Sequence, residues 1–126
     1  MAELHVELVA ADRKVWSGEA SLVVARTSSG EIGIMPGHQP LLGVLVSGPV
    51  TIRSTGADSG TVIAAVHGGF ISFADNKLSI LAEIAELSYE IDVQRAERAL
   101  EKAKSEQDSA AERRADVRLR AVAVAR

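Results

Sequence analysis

The sequence predicts an α+β protein in which an N-terminal antiparallel β-sandwich, or flattened barrel, is followed by a C-terminal antiparallel hairpin of two helices. Up to about residue 86, short apolar or alternating runs are separated by turn residues, a pattern typical of an all-β region. After residue 89 the apolar residues recur at helical spacing instead. We therefore divide the chain into a β-sandwich domain at residues 1–86 and a helical hairpin domain at residues 87–126.

Eight or nine short strands are expected in the first domain, a number that favours a sandwich or flattened barrel. They are expected at residues 4–10, 14–17, 20–26, 32–35, 42–46, 50–54, 61–67, 70–74 and 77–82. Gly18 is interpreted as a break between two strands, and Gly68-Gly69 as a bulge or a close approach of two backbones. Residues 55–60 and 75–76 are expected to form hairpin turns, because Gly, Asn and Asp tolerate the positive φ that such turns require.

The C-terminal domain shows two helical patterns with small apolar stripes. Asp92 suits the N-cap of a helix over residues 92–105, and a second helix is expected to begin near Asp108 or Ser109. The stripes consist of Ala96, Ala99, Leu100 and Ala103 in the first helix and Ala111, Ala115, Leu119 and Val122 in the second. A buried large aliphatic side chain contributes ~1.5–3 kcal/mol and alanine much less, so we expect the hairpin to be held weakly and to be able to move. The alternative is a static hairpin with a small core.

Composition excludes several classes of protein. The chain has 126 residues, a net charge of −3 and only 3% aromatic residues, which disfavours nucleic-acid binding. It has no cysteine, no signal-peptide pattern at its start, and no apolar stretch near the ~20 residues of a membrane span, so a cytoplasmic protein is expected. Residues 91–126 hold nine basic and seven acidic side chains, whereas residues 1–90 hold five basic and ten acidic. This distribution favours either an ordinary solvated surface or a basic C-terminal element that binds an acidic partner.

The most specific local pattern is GEIGIMPGHQPLL at residues 30–42. It predicts a strand that leads into a loop stiffened by Pro36 and Pro40, with His38 between them. No cysteine, second histidine or carboxylate pair stands near His38, so we expect it to have a structural rather than a catalytic or metal-binding role. The chain also lacks phosphate-loop, dinucleotide, zinc-protease and serine-hydrolase motifs, and no catalytic residue is assigned.

The run at residues 30–42 resembles a diagnostic stretch of the epsilon subunits of bacterial F-type ATP synthases. Similar family patterns occur at Gly68-Gly69-Phe70, at residues 78–86 and at Ile91–Ala96 (IDVQRA), so that the resemblance extends over residues 4–126. It implies a non-catalytic central-stalk subunit that couples rotation of the c-ring to the catalytic head through the gamma subunit. The hairpin would change between a compact and an extended state, and extended it would meet the catalytic beta and alpha subunits and inhibit ATP hydrolysis. The protein would lie peripherally on the cytoplasmic face of the cell membrane.

In some bacterial members of this family, the I/L-D-x-x-R-A motif forms part of a regulatory ATP site in the compact hairpin. Carried over by position, that site would comprise Glu86, Ile91, Asp92, Arg95, Ala96, Arg114 and Arg118. Guanidinium groups bind phosphate oxygens with charge-assisted, often bidentate hydrogen bonds, and arginines four residues apart share a helix face. Lys102 stands where some ATP-binding members carry arginine, which weakens the match. ATP would be a regulator and not a required cofactor.

Two alternatives to this interpretation stay open. Asp92 can serve only as a helix cap, with Arg95 and Arg98 on a solvated face. The whole chain can also be a stand-alone protein-binding β-sandwich with a static hairpin, without any relation to an ATPase.

Overall fold

The computed structural model describes residues 3–55 and 60–125, and it shows the predicted fold class. Its strands are β1 (Leu4–Ala10), β2 (Lys14–Thr27), β3 (Gly30–Ile34), β4 (Leu41–Leu45), β5 (Gly48–Ser54), β6 (Gly60–Ala74) and β7 (Lys77–Leu87). A single 3₁₀ turn at Ser88–Glu90 connects β7 to α1 (Val93–Ser105), and α2 (Ser109–Ala125) follows. Most of the turn expected at residues 55–60 lies outside the described residues.

Five of the strands form a closed ring. β1 pairs with β2, β2 with β5, β5 with β6, β6 with β7, and β7 returns to β1. The remaining strands pair with the C-terminal halves of the two longest strands, β3 with that of β2 and β4 with that of β6. The β1–β7 pairing is parallel, which is one departure from the antiparallel arrangement that the sequence predicts. Closure leaves no free edge in the ring, so the β-domain is a flattened barrel that deforms little.

Two predicted breaks do not exist, which reduces the number of strands in the described residues to seven. Residues 14–17 and 20–26 belong to the single strand β2, in which Gly18 pairs with Val6. A Cβ on Gly18 would lie 2.9 Å from the Trp16 ring, so the indole covers this glycine. Residues 61–67 and 70–74 likewise belong to the single strand β6. The glycines are needed for close packing within continuous strands, and the prediction of breaks was wrong.

Gly68-Gly69 marks a close approach of two backbones. Both residues have positive φ, +73° and +132°. A Cβ on Gly69 would lie 2.0 Å from the carbonyl oxygen of Leu81 in β7. The β6–β7 register is the same on both sides, with His67 opposite Ile84 and Gly69 opposite Ala82, so the alternative of a bulge against β7 is wrong. At this point β6 exchanges β5 for β4 as its second neighbour.

The β6 strand is buried on both faces. Ala64 and Val66 point into the main core, whose largest fully buried side chain is Phe73. The alternate residues Ile63, Ala65 and His67 are also buried although they lie on the outer face. Val117 and Ala121 of α2 pack against Ile63 and Ala65, with Ile91 at the margin. We call Ile63, Ala65 and His67 the outer row of β6.

The helices begin where the sequence predicts. The Asp92 carboxylate accepts a hydrogen bond from the Arg95 backbone N–H at 3.1 Å, and Asp108 accepts one from the Ala111 backbone N–H at 3.1 Å. Each carboxylate satisfies a backbone donor that the first turn of a helix leaves unpaired. Within the described residues, neither helix combines the length and the apolar character that crossing a membrane requires.

The predicted stripe of α2 was incomplete. Ala115 is fully buried as expected, whereas Ala111, Leu119 and Val122 are only half-buried. The prediction missed Val117 and Ala121, which are fully buried. α2 packs against α1 and also against β5 and β6, so it needs a second apolar face that the single helical stripe did not reveal.

Replacing Gly69 with alanine is expected to lower the free energy of unfolding by about 4 kcal/mol or more, because the new Cβ would overlap the Leu81 carbonyl. The control is Gly30→Ala, where φ is +119° but no atom lies within 4 Å, so that only a backbone cost of about 1–3 kcal/mol applies. Urea unfolding followed by Trp16 fluorescence measures both variants. Equal losses in the two would contradict the close approach.

Candidate functional site

A cleft of about 400 Å³ lies between the end of the β-sandwich and the hairpin. Its walls come from the end of β7, the 3₁₀ turn, the first turns of α1 and one turn of α2. It is lined by Ile84, Glu86, Glu90, Ile91, Asp92, Arg95, Ala96, Ala99 and Arg118. The structure therefore brings together six of the seven residues of the predicted ATP site.

Arg114 is the residue that the structure places elsewhere. It lines a neighbouring cavity of about 160 Å³ together with Ser47, His67, Gly68 and Glu83. Arg114 and Arg118 share a face of α2, but they are separated by about 6 Å along the helix axis. The two guanidinium groups consequently line different cavities, and they do not form the predicted pair within one cleft.

An ion pair joins the hairpin to the sandwich inside the cleft. Arg118 Nε donates a hydrogen bond to Glu86 Oε1 at 2.5 Å, and both side chains are partly buried. Glu86 belongs to β7 and Arg118 to α2, so this pair crosses the docking contact between the two domains. A phosphate group that bound Arg118 would have to replace the Glu86 carboxylate or share the Arg118 guanidinium with it.

A second ion pair fixes the wall of the cleft. Glu90 accepts two hydrogen bonds from the Arg13 guanidinium, at 2.9 and 3.1 Å, and one from the Leu87 backbone N–H at 3.0 Å. The bond from Arg13 and that from Leu87 lower the pKa of Glu90 below its ordinary value. Because Arg13 lies between β1 and β2, this pair holds the turn before α1 against the sandwich.

Glu90, Ile84 and Ala99 are cleft residues that the sequence analysis missed. The spacing of Ile84 and Ala99 could have identified these two as cleft residues, since Ile84 is on the same face of β7 as Glu86 and Ala99 lies one helical turn after Arg95. Glu90 carries no such signal, because its position depends on the irregular turn and on Arg13 from the other end of the chain.

The charge distribution of the cleft favours binding of a ligand over catalysis. All three lining carboxylates are engaged, Glu86 by Arg118, Glu90 by Arg13 and Asp92 by the α1 backbone. The Arg95 side chain forms no salt bridge within residues 3–55 and 60–125. Arg95 is thus the cation most available to an anionic ligand.

The outer surface of the sandwich carries an exposed apolar row formed by Val44, Phe70 and Leu81. These residues sit opposite one another on the neighbouring strands β4, β6 and β7. Each is at least half exposed, and Phe70 is 55% exposed. Adjacent exposed apolar side chains on a rigid sheet are typical of a protein-binding surface. The sequence analysis did not identify this row, because it depends on the register of three strands.

His38 has the structural contacts that the sequence analysis expected. Its Nδ1 donates a hydrogen bond to the Gln39 carbonyl at 2.7 Å, and its ring packs edge-on against Phe73 at 6.0 Å between centroids. The adjacent Gly37 N–H donates to the side-chain oxygen of Asn76 at 2.7 Å. The bond from Gly37 to Asn76 and the contact of the His38 ring with Phe73 hold the Pro36–Pro40 loop against the end of β6 and the turn that follows it.

The proteins and the family model that this chain resembles are all described as ATP synthase chains. Residues 3–88 match the model of the family described as ATP synthase, Delta/Epsilon chain, beta-sandwich domain. The chain is 82% identical over 123 residues to the ATP synthase epsilon chain of Streptomyces griseus, with 98% of each chain covered. It is 51% identical over 122 residues to that of Rhodococcus jostii, covering 97% of this chain and 98% of the relative.

Two solved structures share the fold. One is a chain of the Euglena gracilis mitochondrial ATP synthase (OSCP/F1/c-ring), with a TM-score of 0.74 and 23% identity, covering 94% of this chain and 76% of that one. The other is a chain of the central stalk and c-ring of Tetrahymena thermophila mitochondrial ATP synthase, with a TM-score of 0.57 and 20% identity, covering 96% and 94%.

Proposed function

The chain belongs to the family of ATP synthase epsilon chains, and from this membership we propose that it is a non-catalytic subunit of the central stalk that couples rotation of the c-ring to the catalytic head. Membership in this family opposes the alternative of a stand-alone binding module. As part of the complex the protein is associated with the membrane peripherally, and we place it on the cytoplasmic face of the cell membrane.

The proposed coupling role rests on the exposed apolar row. A subunit that transmits torque needs a rigid body and a specific contact with its neighbours. The closed ring of strands supplies the rigid body. Val44, Phe70 and Leu81 supply an apolar surface that a partner can cover, and we assign it to the gamma subunit.

The hairpin supports a regulatory role because its contact with the sandwich is small. The apolar part of the contact consists mainly of Val117 and Ala121 on the outer row of β6. The cross-domain ion pair is partly exposed, and pairs of this kind contribute at most about 1 kcal/mol. A small free energy therefore separates the docked hairpin from a released one.

Release would expose a basic helix. Arg113, Arg114, Arg118 and Arg120 lie within two turns of α2, and the docked state buries part of this set. A released α2 presents these arginines together with Val117 and Ala121, a combination suited to an acidic protein surface. We propose that this surface belongs to the catalytic beta and alpha subunits, and that the extended hairpin inhibits ATP hydrolysis there.

The cleft supports a second role for the docked hairpin, the binding of regulatory ATP. Arg95 can bind phosphate oxygens directly, and Arg118 can do so by exchanging Glu86 for phosphate. Arg114 lines the neighbouring cavity, so we assign it no direct contact with the nucleotide in this state. The cleft is built from both domains, so a ligand bound in it stabilises the docked state.

Phe70→Asp is expected to weaken binding of the chain to the gamma subunit by about 30-fold or more, because a charge would replace an apolar anchor of the interface. The fold should persist since Phe70 is already 55% exposed. Tyr89→Asp is the control, because Tyr89 is 80% exposed and lies in the 3₁₀ turn. Titration against the purified complex that lacks this subunit measures affinity, and equal affinities for Phe70→Asp and the wild type would contradict the assignment.

Val117→Asp is expected to release the hairpin, because an unpaired carboxylate in the α2–β6 contact costs about 3–5 kcal/mol. For the assembled enzyme the carboxylate is introduced on the sandwich side of the same contact, at the fully buried Ala65, so that the surface of α2 stays intact; in Ala65→Asp, ATP hydrolysis should fall to the fully inhibited rate. Val124→Asp makes the same chemical change at a residue of α2 that is 58% exposed, and it should leave the rate unchanged. The inhibitory role is wrong if Ala65→Asp and Val124→Asp hydrolyse ATP equally fast.

Arg95→Ala is expected to weaken ATP binding to the isolated chain at least tenfold, through loss of a charge-assisted bond of about 1.5–3 kcal/mol. Arg98→Ala is the matched control on the same helix, because Arg98 lies outside the cleft. Titration calorimetry measures both. Absence of heat from the wild-type chain at millimolar ATP would eliminate the nucleotide site.

A further inference from the structure

His67 occupies an unusual position for a histidine, on the outer row of β6 beneath the hairpin. It follows Ile63 and Ala65 at alternate positions of the strand, so its side chain lies on the face that α2 covers. The residue is only 5% exposed. Its burial depends on the docked hairpin, because the cavity that it lines is closed by Ala110, Arg113 and Arg114 of α2.

Both ring nitrogens of His67 are buried and neither hydrogen-bonds to any of residues 3–55 or 60–125. A neutral imidazole carries one N–H donor, whereas the protonated ring carries two donors and a full positive charge. Burying an unpaired donor is unfavourable, and burying an unpaired charge is far more so. The docked state thus favours the neutral form of His67.

The charged groups around His67 strengthen this preference. Arg113, Arg114 and Arg118 face it from α2, and Glu83 and Glu86 from β7. Glu86 is already paired with Arg118, which leaves Glu83 to balance the other two arginines. The surroundings are therefore cationic before the imidazole gains a proton.

We propose that protonation of His67 releases the helical hairpin from the β-sandwich, so that the position of the hairpin depends on pH. Burial and the neighbouring Arg118 and Arg114 charges lower the pKa of His67 from 6.5 to about 4 in the docked state. In a released hairpin the imidazole is solvated, and its pKa returns toward the ordinary value.

The sign of the effect follows from the two pKa values. The docked state binds the proton less tightly, so docking is strongest above pH 6.5 and weakens as the pH falls from 6.5 toward 4. Linkage between these values predicts that the docking equilibrium constant decreases about tenfold between pH 7.5 and pH 5.5. If the extended hairpin is inhibitory, a consequence that rests on the proposed function, acidification of the cytoplasm favours inhibition of ATP hydrolysis.

The first test is an NMR titration of the histidine rings in the isolated full chain. His67 should titrate well below pH 6.5 in the wild type, and nearer to pH 6.5 in Val117→Asp, in which the hairpin is released. A His67 pKa near 6.5 in the wild-type chain, or the same value in both proteins, would overturn the proposal. This experiment needs no partner subunit, so it is independent of the inhibitory role.

The second test measures docking itself as a function of pH. The chain has no cysteine, so cysteines introduced at the exposed residues Ser72 and Ala123 carry a pair of spin labels without interference. The docked and the released hairpin give two different distances between the labels. The population with the released distance, relative to that with the docked distance, should rise about tenfold from pH 7.5 to pH 5.5 in the wild type.

Variants separate His67 from the other titrating groups. His67→Gln and His67→Leu should abolish the dependence on pH, the first with a polar and the second with an apolar side chain. His5→Gln is the control, because His5 lies on β1 and contacts Glu7 and Glu19 at 2.9 Å, which raises its pKa. It should keep the full wild-type response. A dependence on pH that persists in both His67 variants would show that another group is responsible.

Discussion

The contact between α2 and the outer row of β6 is the interaction on which the rest of the structure depends. It closes the cleft that holds Arg95 and Arg118, and it buries His67. The apolar part of this contact involves two small helix residues, Val117 and Ala121, on Ile63 and Ala65. A contact of this size holds the hairpin in place but leaves the balance open to a proton, a nucleotide or a partner subunit. The regulatory proposals all follow from that balance.

The β-sandwich behaves differently because its backbone packing is closed. The ring of five strands has no edge, and Gly69 lets β6 approach β7 more closely than any other residue would allow. This rigidity suits a body that transmits rotation, and it also keeps the outer row of β6 and the exposed apolar row in fixed relative positions. The same strand, β6, contributes Ile63, Ala65 and His67 to the hairpin contact and Phe70 to the apolar row. The strand β6 therefore contributes to both the proposed regulatory contact and the proposed contact with the gamma subunit.

Much of the fold and of the cleft could be predicted from the sequence, because the signals are local. Asp92 and Asp108 identify the starts of both helices, and Gly, Asn and Asp punctuate the strands. The errors have a tertiary origin. Trp16 covers Gly18 and keeps β2 continuous, and α2 needs a second apolar face only because β6 lies beneath it. Burial of His67 was unpredictable for the same reason, since it depends on a helix that begins more than 40 residues later.

Amide hydrogen exchange of the isolated chain at pH 7.5 tests the weakness of the hairpin contact most directly. The account predicts that amides of α1 and α2 exchange through one shared opening, at a free energy clearly below that of the amides in β1, β6 and β7. Equal protection of the helices and of these core strands would contradict it, because a hairpin held as firmly as the sandwich could not respond to a proton or a nucleotide.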